Sequence, residues 1–201
     1  MPNWCDTTYK CVGDQKEVRS LYKTLKANDK RKRPRVKNGF GTMWLGCIID
    51  ALGEDWEQFR CRGAITDYGL DGNVLTIYQY TAWCEQEGFR ECIEKKFPSI
   101  KVYYLEEEPG CEVFYTNDAN GEYFPYRYLL DNYEEPLYYA TIEEAAESVS
   151  GIVGHKVKPD YNEIVQALDD YTEKQDEKGE DEFFSFHEFE VVDDNGNKVV
   201  T

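Results

Sequence analysis

The sequence predicts an α+β fold, and three observations predict it. Short segments alternate apolar and polar residues with a period of two, the mark of half-buried strands. Longer segments between them repeat apolar residues at steps of three and four, the mark of amphipathic helices. The 201 residues are 41% hydrophobic and 15% aromatic, enough to bury a core and unlike a disordered chain.

Cys5–Val12 alternates, with Cys5, Thr7, Tyr9 and Cys11 on one face, and Gly13 ends the strand. Asp14 is placed as an N-cap with Glu17 at the capping-box position, and Val18, Leu21, Tyr22 and Leu25 carry a helix to about Ala27. Residues 28–55 read as an insertion: a basic loop, Lys30–Lys37, then a short helix capped by Thr42 with Trp44, Ile48, Ala51 and Leu52 on one side. A second strand is expected over Phe59–Thr66 and a third over Val74–Tyr80, joined through the turn Asp71-Gly72-Asn73. A second helix spans about Ala82 to Lys96 with Phe89, Cys92, Ile93 and Phe97 inward, and Pro98 stops it. A fourth strand covers Ile100–Glu107.

Strand-helix-strand-strand-helix-strand is the ferredoxin-like βαββαβ order: four antiparallel strands with two helices on one face. Added strands are expected at Cys111–Thr116 and Tyr123–Leu130, on either side of a turn at Asn117–Gly121, completing a first domain over residues 1–131. Glu108-Pro109-Gly110-Cys111 has the residues of a type II turn, so Glu106–Glu108 read as the solvated end of a strand. Neighbouring strand side chains point to opposite faces, so those three carboxylates cannot converge on one ion.

After an acidic linker, Asp131–Pro136, residues 137–201 read as a small acidic α+β extension, separate or continuing the first sheet. Thr141-Ile-Glu-Glu144 starts one helix and Asp160-Tyr-Asn-Glu163 another. Phe183–Val192 alternates, and Asp194-Asn195-Gly196-Asn197 signals a hairpin into Val199–Val200.

Net charge is −17, unevenly spread: residues 1–60 carry 12 Lys/Arg against 8 Asp/Glu, residues 61–201 carry 11 against 32. That balance argues against nonspecific DNA binding by the body and permits basic partners. Seven cysteines without a CxxC pair read as free thiols of a reducing compartment. The N-terminus lacks the apolar core of a signal peptide and no segment is apolar for the length of a span, so a cytoplasmic protein without a membrane partner is expected.

Chemistry-bearing motifs are few. His155 and His187 have no cysteine neighbours, and no Gly-rich phosphate loop occurs, so no metal, cofactor or catalytic residue is assigned. Lys30, Arg31, Lys32, Arg33, Arg35 and Lys37 could form a phosphate-contacting arm, but no aromatic interleaves them, and a solvated loop is the preferred reading. Direct nucleic-acid binding is therefore expected only through that loop, if at all. Glu134, Glu135, Glu143, Glu144, Glu147, Asp169, Asp170, Glu173, Asp176 and Glu177 could form an acidic stripe on two helices, a surface able to mimic DNA phosphates. Trp4, Trp44 and Trp83 could cluster at one end of the sheet, and a satellite core that anchors the insertion is the preferred reading; should the cluster line a cleft, Trp44, Trp83, Arg60 and Arg62 are the candidate ligand contacts.

Met1-Pro-Asn-Trp-Cys5, Gly41-Thr-Met-Trp44, Thr81-Ala-Trp83, and Phe97-Pro98 followed by Leu105 and Glu108-Pro-Gly110 resemble, in order, signature stretches of a phage- and plasmid-encoded family with a YubB-type ferredoxin-like domain. The resemblance spans roughly residues 1–130. It implies the fold and a mobile-element setting and carries over no catalytic residue. Leu45 stands where the family usually has an acidic residue, Cys84-Glu85 where it often has Ser-Pro, and the basic loop where a longer, less charged segment is expected. The expected function is a non-enzymatic interaction module with a protein partner. The alternatives are an acidic DNA mimic acting against restriction or defence enzymes, and a small-ligand binder or enzyme at a Trp-lined cleft.

Overall fold

The computed structural model describes residues 3–132, 135–193 and 197–199. The chain is mixed α+β and divides into two units, Met1–Asp118 and Ala119–Thr201.

The first unit begins with β1 (Trp4–Val12), and Asp14 caps helix α1 (Gln15–Asp29) by accepting from Lys16 N at 2.8 Å. Glu17 does not close a capping box; its carboxylate takes Ser99 N at 2.9 Å and Ser99 Oγ at 2.7 Å, tying the start of α1 to the turn that holds Ser99. Val18, Leu21, Leu25 and Asn28 form the buried stripe of α1. Helix α2 (Leu45–Leu52) follows Trp44, not Thr42, with no side-chain cap. It is apolar nearly all round and buried accordingly. Gly46 leaves room for the Trp44 ring, which a Cβ there would force to shift.

Strand β2 (Gly63–Asp71) pairs with β3 (Val74–Ala82) across a two-residue turn in which Gly72 has φ +56°. β2 therefore sits four residues later than the alternation from Phe59 predicts. Asp71 must face Val74 for so tight a turn, and that register draws the strand up to the turn. Phe59 and Cys61 instead follow a single 3₁₀ turn at Trp56–Gln58. Helix α3 (Glu87–Lys96) starts five residues later than predicted, because Ala82 still pairs with Trp4 and residues 83–86 form a loop. Then come β4 (Lys101–Glu108), a 3₁₀ turn at Pro109–Cys111 in place of a type II turn, and β5 (Val113–Thr116).

Within this unit the sheet order is β2-β3-β1-β4-β5, every neighbouring pair antiparallel. Helix α1 lies against β3 and α3 against β4, while α2 touches both helices and β2. Tyr9, Cys11, Leu21, Leu25, Ile48, Leu75, Ile77, Phe89 and Ile93 form the core between sheet and helices, all fully buried.

The second unit starts at Ala119, so the boundary drawn at 131 moves back to 118. The cause is β6 (Tyr128–Asn132), which replaces the strand expected at Tyr123–Leu130 and pairs with β7 (Leu137–Tyr139) and β8 (Phe184–Glu188) in a separate three-stranded sheet. Helices α4 (Ile142–Val153) and α5 (Tyr161–Asp176) close the core of Leu130, Ala145, Ala146, Val149, Ile164, Leu168 and Phe186. Both predicted caps form: Thr141 and Glu144 make a complete capping box, and Asp160 accepts from Asn162 N and Glu163 N. A short β9 (Glu190–Val191) follows. Asp194, Asn195, Gly196 and Val200 of the predicted hairpin lie outside the described residues, as does Tyr133-Glu134 of the predicted linker; Val192 bridges Lys198 across the former.

Candidate functional site

The first unit's sheet has two unlike faces. Cys5, Thr7, Tyr9 and Cys11 of β1 point toward the helices, while Trp4, Asp6, Thr8 and Lys10 point away. On β3 the outward side chains include Tyr78 and Tyr80, 45% and 50% exposed. Register sets Tyr80 between Asp6 and Ala64, and Tyr78 between Thr8 and Asp67. Trp4 is 42% exposed and Phe40 51%. Trp4, Phe40 and Tyr80 wall an apolar groove of about 290 Å3 whose lining Ala64 and Thr66 complete.

Phe40 reaches this face because its loop is built to carry it there. The Asn38 carboxamide accepts from Phe40 N at 2.6 Å and Gly41 N at 2.8 Å, and donates to Val36 O at 2.8 Å. Met43 O takes Ile65 N at 2.9 Å and Trp44 bridges Ala64, which lashes the segment to the edge of β2. The Phe40 ring then meets Trp4 edge-on, centroids 5.9 Å apart at 79°.

At the end of β3, Trp83 is 43% exposed and held at φ +76°, a backbone region that costs a bulky residue about 1–3 kcal/mol. The loop is pinned on all sides. Trp83 N donates to Asn3 O at 3.0 Å, Arg60 Nη2 to Cys84 Sγ at 3.3 Å, and Gln86 Nε2 to Cys84 O at 2.8 Å. Arg62 N donates to Gln86 Oε1 at 2.8 Å, and Glu85 N to Glu106 Oε2 at 2.5 Å.

Beneath that loop lies a buried polar cluster. Glu85 accepts from Tyr9 Oη and from Arg90 Nε at 3.2 Å, and Arg90 stands over the Tyr104 ring at 5.5 Å. Glu106 also takes the Cys5 thiol at 3.7 Å. Burial pushes the Glu106 carboxyl up to about 7, with Glu85 adding to the rise and the Glu85 N–H opposing it. Burial likewise raises Glu85, against the pull of Arg90 and Tyr9. Burial pushes the Cys5 thiol up to about 12 and Cys92 to about 11, so these thiols stay protonated and weakly nucleophilic. The cluster's chemistry is that of a clamp on the loop carrying Trp83.

The triple glutamate is split as strand geometry requires, but it is not a solvated end. Glu106 and Glu108 are 5% and 6% exposed, and Glu107 faces the other way. Among the described residues no group of three or more His, Cys, Asp or Glu could hold a metal ion, and no helix is long and apolar enough to cross a membrane.

The expected tryptophan cluster is divided. Trp4 packs on Phe40, whereas Trp44 packs on Trp56 at 5.0 Å beside α2. Of the four candidate ligand contacts, Trp83, Arg60 and Arg62 meet around the 83–86 loop; Trp44 does not join them. Lys30, Arg31, Lys32, Arg33, Arg35 and Lys37 are all exposed, Arg35 at 3.4 Å from Asp50. Glu143, Glu144 and Glu147 on α4, and Asp169, Asp170 and Glu173 on α5, are likewise exposed. Ser185 Oγ lies 2.7 Å from His187 Nε2, while exposed His155 lies near Val153 O. Phe40, Tyr78 and Tyr80 were absent from the sequence-derived candidates; the period of β3 carries the signal for both tyrosines, whereas nothing local marks Phe40. No protein-family model, curated protein or solved structure matches the chain.

Proposed function

We propose that the chain is a non-enzymatic protein-interaction module of a bacterial mobile genetic element, and that it engages its partner through the outer face of the first unit's sheet. One observation carries this reading: Trp4, Phe40, Tyr78, Tyr80 and Trp83 stand 42–51% exposed on that face and at its end. Exposed aromatic groups of this size are the residues that dominate protein interfaces, and a Trp strained at φ +76° and still 43% exposed costs stability that its burial offsets only in part. The strand order and the two long helices support a ferredoxin-like βαββαβ unit with β5 added. The mobile-element setting rests on the resemblance of the Met1–Cys5, Gly41–Trp44 and Thr81–Trp83 stretches and of Phe97-Pro98 followed by Leu105 and Glu108-Pro-Gly110.

A second reading has its own observation. The second unit carries 6 Lys/Arg against 21 Asp/Glu, with carboxylates exposed along α4 and α5, which favours a DNA mimic. Capture from a bacterial lysate, at low and high salt, separates the two. Bait carrying Tyr80→Ala and Trp83→Ala is expected to lose the partner, and bait carrying Glu143→Gln, Glu147→Gln, Asp169→Asn and Glu173→Gln to keep it at high salt. The reverse pattern, with a DNA-processing enzyme released by salt, transfers the function to the acidic unit.

A further inference from the structure

We infer that the outer groove of the first unit takes a cationic side chain, arginine or lysine, from a basic segment of a partner protein. This rests on the reading of that face as a docking surface and adds the chemistry of what fills it. The groove's walls are the rings of Trp4, Phe40 and Tyr80, and ring faces attract a cation that comes within about 6 Å of their centres. Carboxylates stand on both sides of the tyrosines: Asp6 directly opposite Tyr80 on β1, Asp67 opposite Tyr78 on β2. The Asp6 carboxylate makes no hydrogen bond or ion pair with another described residue. Its pKa is raised by lost hydration, with no cation pulling it down. Asp67 spends one oxygen on Tyr68 N at 2.8 Å and is otherwise exposed. Lys10, the cation of β1 on this face, already donates to Thr76 Oγ1 at 3.0 Å. Rings and unneutralised carboxylates together are complementary to a guanidinium or ammonium group, and the net charge of −17 draws basic segments toward the molecule. A single-stranded nucleic acid would also stack on exposed rings, but it would bring phosphates against Asp6 and Asp67.

The test titrates the full chain, at physiological salt, with three probes: a Gly/Ser peptide bearing two arginines, the same peptide with norleucine in their place, and an oligothymidylate. The arginine peptide is expected to bind about tenfold more tightly than either of the others. Asp6→Asn, nearly isosteric, and Tyr80→Ala, checked for folding by circular dichroism, should each weaken it about fivefold. Substituting Glu147→Gln, Asp169→Asn and Glu173→Gln together should change it less than about twofold. Equal affinity for the norleucine peptide overturns the cation inference while leaving the docking surface standing. Tighter binding of the oligothymidylate overturns it in favour of nucleic acid. Indifference to Asp6→Asn and Tyr80→Ala, with sensitivity to the helix substitutions, overturns the inference and the docking surface together.

Discussion

The first unit carries 17 Lys/Arg against 19 Asp/Glu, a net of −2; the second carries 6 against 21, a net of −15. The units also differ in where their charges lie. In the first, the side chains of Glu85, Glu106 and Arg90 are buried together beneath the sheet's end, and the open face shows rings flanked by Asp6 and Asp67. In the second, the core is plainly apolar and the carboxylates of α4 and α5 stand in water. A buried charge must be matched by a partner or shift its pKa, whereas a solvated one contributes little to stability and much to long-range attraction. The buried charges of the first unit therefore shape a structure, and the solvated carboxylates of the second shape a field.

This comparison can be broken at its strong end. Arg90→Met leaves Glu85 buried without its cation and should destabilise the first unit by about 3–5 kcal/mol in urea denaturation. A loss under about 1 kcal/mol would mean that the cluster is not a clamp. Next in size is a pH effect. Unfolded, Glu106 loses its proton near 4.5; folded, it keeps it to about 7. Between those values the unfolded state binds fewer protons, so stability falls as pH rises, by about 3 kcal/mol once pH exceeds 7. Glu106→Gln can still accept from Glu85 N and carries no charge, so its stability curve should lack that descent between pH 4 and 8. Parallel curves for the two proteins would place Glu106 in contact with water.

The weak end concerns the second unit. Thr141→Ala removes a cap from α4 and should cost about 1 kcal/mol. Glu147→Gln, exposed on the same helix, should stay within about 0.5 kcal/mol at any salt concentration. If Glu147→Gln costs as much as Thr141→Ala, the acidic surface has a structural role and the contrast between the units fails.

The alternation of β1, the Asp14 cap and the Thr141 capping box could be read from the chain because each is a contact within a few residues. Glu17 could not, since Ser99 competes for it from 82 residues away. Register shifted β2 and shortened α3: a two-residue turn and the Ala82–Trp4 pairing outweighed local pattern. The acidic triplet was correctly split between faces, but burial of Glu106 depends on the loop that covers it, which no spacing reveals. The groove was half legible. Period two puts Trp4, Tyr78 and Tyr80 outward, while Phe40 arrives from an insertion held by Asn38, a tertiary event.

Amide NMR of the full chain, titrated with the two-arginine peptide, tests the central claim most directly. Shifts concentrated at Trp4–Thr8, Phe40 and Tyr78–Ala82, leaving α4 and α5 still, are the predicted result. Shifts confined to Glu143, Glu147, Asp169 and Glu173 would contradict it and make the acidic helices the working surface.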